Sequence, residues 1–203
     1  MPLSREDFYV LTRTNEDTIK NWTRRGLFPL VGERARGEYS AFEALLFILV
    51  EHLSGEPNYM SLGAAADVVR AVAPVVKAEM TRIAASSLYL APEVLPDGSG
   101  TTLDLAADCD ADQICAARVT FRGGARREFC GTFGEIACAV EAFDAPLVSL
   151  TFANVTLAAT ILRNRASKNA TETRVEIGDG MYQLLEKSRG GPLDISDLWA
   201  SGE

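Results

Sequence analysis

An α+β protein is predicted: helical at the N-terminus, bridged by one long helix, then mixed in helices and strands. Three observations predict it. As far as Leu53 the apolar residues recur at helical spacing behind Ser or Asn caps. Leu62, Ala66, Val69, Ala73, Val76, Met80 and Ile83 then step by four and three, a seven-residue seam. From about Ser87 the pattern changes to period two, punctuated by glycine-rich turns. The expected division is residues 1–53, a connecting or dimerisation helix over 59–86, an α+β effector- or partner-binding domain over 87–190, and a tail over 191–203. Ser54-Gly55-Glu56-Pro57-Asn58, rich in turn formers, marks the first boundary.

Ser4-Arg5-Glu6-Asp7 opens the first helix in capping-box fashion, with Phe8, Val10 and Leu11 on its apolar face. Thr12-Arg13-Thr14-Asn15 is a turn. The second helix is capped by Asn15 or Asp17, whose short side chains satisfy orphan backbone donors. Ile19 and Trp22, three apart, share its buried face. Gly26 is placed to take the left-handed conformation that ends a helix, and Pro29 prevents resumption. Thr18, Lys20, Asn21, Arg24 and Arg25 occupy the rest of the circumference. Helix, tight turn and cationic second helix make a helix-turn-helix, and such a second helix suits the major groove of DNA. Val31 to Tyr39, with Arg34, Arg36 and two glycines, fits a small β-wing. Ser40-Ala41-Phe42-Glu43 then starts a strongly apolar helix through Leu53.

Thr18-Ile19-Lys20-x-Trp22-x-Arg24-Arg25-Gly26-Leu27, followed by an Arg/Gly/Tyr/Ser segment, resembles the MerR-type winged helix-turn-helix. The resemblance covers about residues 4–53. Where that family often carries an aromatic pair this chain has Asn21 and Trp22, and of the usual wing string only Gly37-Glu38-Tyr39-Ser40 remains. The resemblance implies a transcription regulator that binds double-stranded DNA. Thr18, Lys20, Asn21 and Arg24 would face the groove; Arg13, Arg25, Arg34 and Arg36 would meet phosphates; Thr23 suits either role. In that family the long helix after the winged domain forms a dimer contact, so a homo-oligomer, with a dimer favoured, is implied. For residues 62–83 the competing expectation is packing inside the chain. Related domains occur in phage excisionases and small terminase subunits, which makes a packaging or recombination accessory protein the second expectation. A protein-interaction module with a degenerate winged domain is the third.

The net charge of −8 is unevenly spread. Residues 1–40 hold seven Lys/Arg against six Asp/Glu, while the other 163 hold 13 against 22. An acidic remainder weakens indiscriminate DNA binding and leaves recognition to locally placed cations. The charged start, Met1-Pro2-Leu3-Ser4-Arg5-Glu6-Asp7, is unlike a signal peptide, and the longest apolar run, Ala44 to Val50, is too short for a membrane span. A cytoplasmic location is expected. Cys109, Cys115, Cys130 and Cys138 lack the close pairs of structural zinc sites, and His52 is the single histidine. No phosphate loop, nucleophile motif or Ser/His/Asp set is visible. Asp104, Asp108, Asp110 and Asp112 lack the glycine and terminal Glu of a calcium loop. No catalytic residue, metal or cofactor is expected.

In the long helix Pro74 is expected to kink or interrupt the chain. Beyond it, Leu88, Leu90, Val94, Leu103 and Leu105 flank the turn Pro96-Asp97-Gly98-Ser99-Gly100. Ile114–Phe121 and Arg126–Phe133 read as a hairpin across Gly123-Gly124-Ala125, with Val119 opposite Phe129. Thr132-Phe133-Gly134-Glu135 is a capping box opening a helix through Phe143. Leu147–Phe152 reads as a strand, and Asn154 caps a helix ending near Ser167. Glu172–Ile177 reads as a last strand and Met181–Ser188 as a short helix. In the tail, Ile195, Leu198 and Trp199 suit a helix laid into a partner's groove, or a tail folded back on its own domain.

Overall fold

The computed structural model describes residues 3–32, 39–87, 113–143, 145–178 and 181–199. Seven helices, two sheets and one short 3₁₀ turn are found among them. In order they are α1 (Arg5–Thr12), α2 (Glu16–Arg24), α3 (Ala41–Ser54), α4 (Leu62–Ala78) and α5 (Met80–Ser87). Next come β1 (Ile114–Phe121), β2 (Arg126–Thr132), α6 (Phe133–Glu141), β3 (Leu147–Asn154) and α7 (Val155–Lys168). The hairpin β4 (Ala170–Gly178) and β5 (Met181–Ser188) and a 3₁₀ turn at Ser196–Leu198 complete the chain. The mixed α+β class expected from the sequence is the class observed. The expected strands around Leu88–Leu105, the wing residues 33–38, Cys109 and the four aspartates at 104–112 lie outside the described residues.

Short polar residues start six of the seven helices, all but α5. Ser4, Asn15, Ser40, Ser61, Thr132 and Asn154 each accept a bond from the backbone N–H three residues on. At Thr132 the full capping box forms, since Glu135 also accepts from the Thr132 N–H at 2.7 Å.

α3 is the hub. It is apolar around most of its circumference and packs on α1, α4, α7, β3 and the 3₁₀ turn. A helix of that composition requires cover on every side. One hydrophobic cluster therefore runs from Leu3 through α1, α2, α3 and α4 to Ile114, α7 and Leu198. The segments drawn at 1–53, 59–86 and 87–190 share this core. The seven-residue seam of the long helix is occupied within the chain: Ala66, Val69, Ala73, Val76, Met80 and Ile83 are all buried in the main cluster. Pro74 does not end α4; the break falls at Glu79, between α4 and α5. The buried neighbours Val72, Ala73 and Val76 hold the helix through the one backbone bond that proline removes.

The three-stranded sheet has the order β2-β1-β3, antiparallel throughout. Its central strand is covered on both faces. Ile114 and Ala116 face the main core, while Cys115 and Ala117 pack with Ile136 of α6 in a smaller cluster. The hairpin register differs from the one expected. Val119 pairs with Arg127, and Phe129 pairs with Ala117. The loop does hold three residues, but they are Arg122, Gly123 and Gly124, closed by Phe121 N–H to Ala125 O at 2.9 Å. Gly123 (φ 93°) and Gly124 (φ 85°) both take left-handed backbone, and this places the turn one residue earlier. A slip of two keeps each side chain on its expected face, so periodicity alone could not detect it.

Met181–Ser188 is a strand rather than the expected helix. It pairs with β4 from Ala170↔Ser188 to Gly178↔Met181. Eight residues make a marginal helix, whereas an Asp-Gly pair between two segments, here Asp179-Gly180, is a strong hairpin signal. The tail folds back. Leu193 N–H donates to Ala166 O at 2.9 Å, Ile195 and Leu198 enter the main core, and Arg163 lies 4.8 Å from the Trp199 ring centroid. No described helix is long and apolar enough to cross a membrane.

Candidate nucleic-acid interface

α2 is mounted by two side chains. Ile19 and Trp22 are each 5% exposed, and the Trp22 ring stacks on Phe47 of α3 with centroids 4.2 Å apart. Phe8, Phe28 and Tyr39 close the rest of this aromatic core. The helix stops sharply. Gly26 (φ 68°) donates to Thr23 O at 3.0 Å, and Leu27 N–H donates to Trp22 O at 2.9 Å. This is the Schellman arrangement, with buried Leu27 and Trp22 as its apolar pair.

With Ile19 and Trp22 inward, a helix of 3.6 residues per turn places Lys20 about 100°, Arg24 about 140° and Asn21 about 200° from Ile19. All three are exposed and share the outward face. Thr23, also exposed, spends its hydroxyl proton on Ile19 O at 2.8 Å. Thr18 is half-buried, and its N–H is taken by Asn15 Oδ1 at 2.9 Å. Arg25 is the exposed C-cap of α2. Arg13 is the C-cap of α1 at φ 53°, in a cleft of about 460 Å³ shared with Glu6, Tyr9 and Arg189. Arg34 and Arg36 fall outside the described residues. The structure thus brings Lys20, Asn21 and Arg24 together, with Arg25 beside them, and sets Arg13 against α1 and the second hairpin.

Two acidic residues stand in the first turn of α2: Glu16, and Asp17, the cap candidate that Asn15 displaces. Glu16 Oε1 pairs with Lys20 Nζ at 3.1 Å and with Arg5 at 3.3 Å, so Lys20 is partly engaged. Asp17, about 160° from Ile19, sits on the same exposed face. Helical periodicity would have located both. No side-chain ion pair or hydrogen bond holds Arg24 or Arg25 among the described residues, which leaves both guanidinium forks available.

Three arginines from beyond residue 53 grip this region. Arg70 of α4 donates to Gly26 O at 2.7 Å, Arg165 of α7 to Leu11 O at 2.8 Å, and Arg189 to Glu6 at 2.6 Å. Sequence offered no signal for these contacts, since each spans more than forty residues. Glu51 and His52 lie on α3, within reach of the Arg165 charge. Burial pushes the Glu51 carboxyl up to about 7 and the His52 imidazole down to about 4; Arg165 opposes the first shift and adds to the second. Burial, with Glu79 and Glu135 nearby, raises the Cys130 thiol to about 12. Cys115 is buried and Cys138 exposed. Among the described residues no group of three or more His, Cys, Asp or Glu is placed to hold a metal ion.

No family model, curated protein or solved structure matches the chain.

Proposed function

We propose that this protein is a sequence-specific DNA-binding transcription regulator of MerR-like type. It reads double-stranded DNA with α2 and holds the flanking backbone with a short wing over residues 31–39. The observation that carries this reading is the outward face of α2. Lys20, Asn21 and Arg24 project from a helix fixed at Ile19 and Trp22, with Arg24 and Arg25 unpaired among the described residues. Such a helix fits the major groove, where Arg reads guanine and Asn reads adenine by paired hydrogen bonds. Arg25, Arg13, Arg34 and Arg36 supply phosphate contacts in this reading. A homodimer would present two copies to a paired site.

The test uses the full chain, because α3 is buried by residues on both sides of position 54. Selection from randomised duplexes at low salt is expected to enrich one motif. Arg24→Ala is expected to relax preference at one position, costing about 1–3 kcal/mol on the preferred duplex. Arg25→Ala is expected to weaken cognate and scrambled duplexes alike and lower the salt slope by about one. Folded protein that enriches no motif would overturn the reading. Equal weakening of both duplexes by Arg24→Ala would remove that residue from base reading.

A further inference from the structure

The β1–β2 turn carries a second set of uncommitted cations. Residues 114–132 hold four arginines and one carboxylate, in a part of the chain that is otherwise acidic. That carboxylate, Glu128, is taken by Arg118 in a half-buried cross-strand pair at 2.9 Å. Arg122 and Arg126 flank Gly123 and Gly124, are exposed, and among the described residues have no ion pair or side-chain hydrogen bond. Several other described cations are paired: Arg5 and Lys20 with Glu16, Arg82 with Glu79, Arg189 with Glu6. Among the described residues, arginines with neither an ion pair nor a ring contact therefore stand at the end of α2 and at this turn.

The turn is held in shape. Phe143, just beyond α6, stacks on Phe121 at 4.9 Å and meets Phe129 edge-on at 6.2 Å. Arg127 lies 5.9 Å from the same ring. The Arg122 N–H donates to Pro146 O at 2.8 Å, which fixes the turn to the start of β3. A Cβ at Gly123 or Gly124 would meet nothing within 4 Å, so the glycines are uncovered and let a partner approach the backbone closely.

We infer that Arg122 and Arg126 form a phosphate-binding turn that grips the sugar–phosphate backbone of duplex DNA at a place separate from α2. The charge is complementary, and each guanidinium fork matches two phosphate oxygens. The set is cationic enough to act locally, while the acidic remainder keeps the protein off random sequence. The inference rests on the DNA-binding reading but makes its own claim about where part of the affinity arises.

The experiment compares the intact chain with R122A/R126A and with R24A/R25A on the selected duplex, at several salt concentrations. Neither Arg122 nor Arg126 has a side-chain partner among the described residues, so the first variant is expected to keep the wild-type circular dichroism and melting curve. If both residues contact phosphate, R122A/R126A makes the log–log salt slope shallower by about 1.8. Near 0.1 M salt that is about eightfold per contact in affinity, equal for cognate and scrambled duplexes. Unchanged slope and affinity in a folded R122A/R126A, with binding lost in R24A/R25A, would sink the inference and leave α2 standing. Loss only in R122A/R126A would support the turn and remove α2. Loss of binding to a poly-glutamate probe without loss on DNA would assign the turn to an acidic protein partner and overturn the inference.

Discussion

The first three helices and the β1–β3 sheet use their aromatic residues in opposite ways. Phe8, Trp22, Phe28 and Phe47 close on one another, and each is at most 5% exposed. Phe121 of the sheet is buried, but Phe133 and Phe143, at the two ends of α6 beside it, are 46% and 39% exposed, and Leu147 and Val148 of β3 more so. The first arrangement drives folding, because apolar area leaves water altogether. The second acts from the surface, where a ring fixes a turn and gains less. Both regions carry arginines unpaired among the described residues, so the two proposed DNA contacts stand on mounts of different strength.

Removing the stronger mount should cost most. Trp22→Ala takes away the ring stacked on Phe47 and is expected to cost about 3–5 kcal/mol, read by urea denaturation. Since the core is continuous, the curve should shift as one transition. A separate early step would show that the N-terminal helices unfold independently of the sheet.

Next comes α3, which both regions share. Glu51 has a folded value near 7 against 4.5 in the unfolded chain, so its stabilisation is complete below pH 4.5 and is lost as pH rises through 7. His52 has a folded value near 4 against 6.5, so its stabilisation is complete above pH 6.5 and is lost as pH falls through 4. The two slopes oppose each other between about pH 4.5 and 6.5. Glu51→Gln should unmask the histidine. Relative to the parent, the variant is expected to lose on the order of 1–3 kcal/mol between pH 6.5 and 4. Parallel stability–pH curves for the two proteins would show that Glu51 is not held protonated.

Phe143→Ala tests the weaker mount. Loss of a half-exposed ring touching Phe121 and Phe129 is expected to cost about 1–2 kcal/mol, below the Trp22 effect. An equal or larger loss would show that the surface rings carry as much of the fold as the buried ones. The smallest pair of effects concerns element ends. Gly26→Ala forces a side chain to φ 68° and should cost about 1 kcal/mol. Thr132→Ala removes a formed capping box for about the same cost. Thermal melts of the two variants side by side would compare the N-terminal stop with the C-terminal start. A neutral Gly26→Ala would mean that the end of α2 relaxes without strain.

Local chemistry was legible in the sequence. Ser4, Asn15, Ser40, Thr132 and Asn154 announced helix starts, Gly26 announced a stop, and the Ile19/Trp22 spacing announced which face of α2 turns inward. A cap or a left-handed glycine is satisfied by atoms within a few residues, so the nearby sequence suffices to locate it. The exposure of Lys20, Asn21, Arg24 and Arg25 followed from the same periodicity.

Contacts between distant segments were settled by the tertiary structure alone. The long-helix seam offered itself equally to a second copy and to this chain; α3 and the sheet fill it because α3 must be covered on every side. The hairpin register turned on a two-residue slip that leaves every face unchanged. Met181–Ser188 became a strand because β4 was there to pair with it. Arg70, Arg165 and Arg189 look like surface cations in the sequence, yet they clasp Gly26, Leu11 and Glu6. Apolar spacing records that a face will be buried, but it carries no record of the partner. That choice depends on which segments the chain can bring together while covering the most apolar surface.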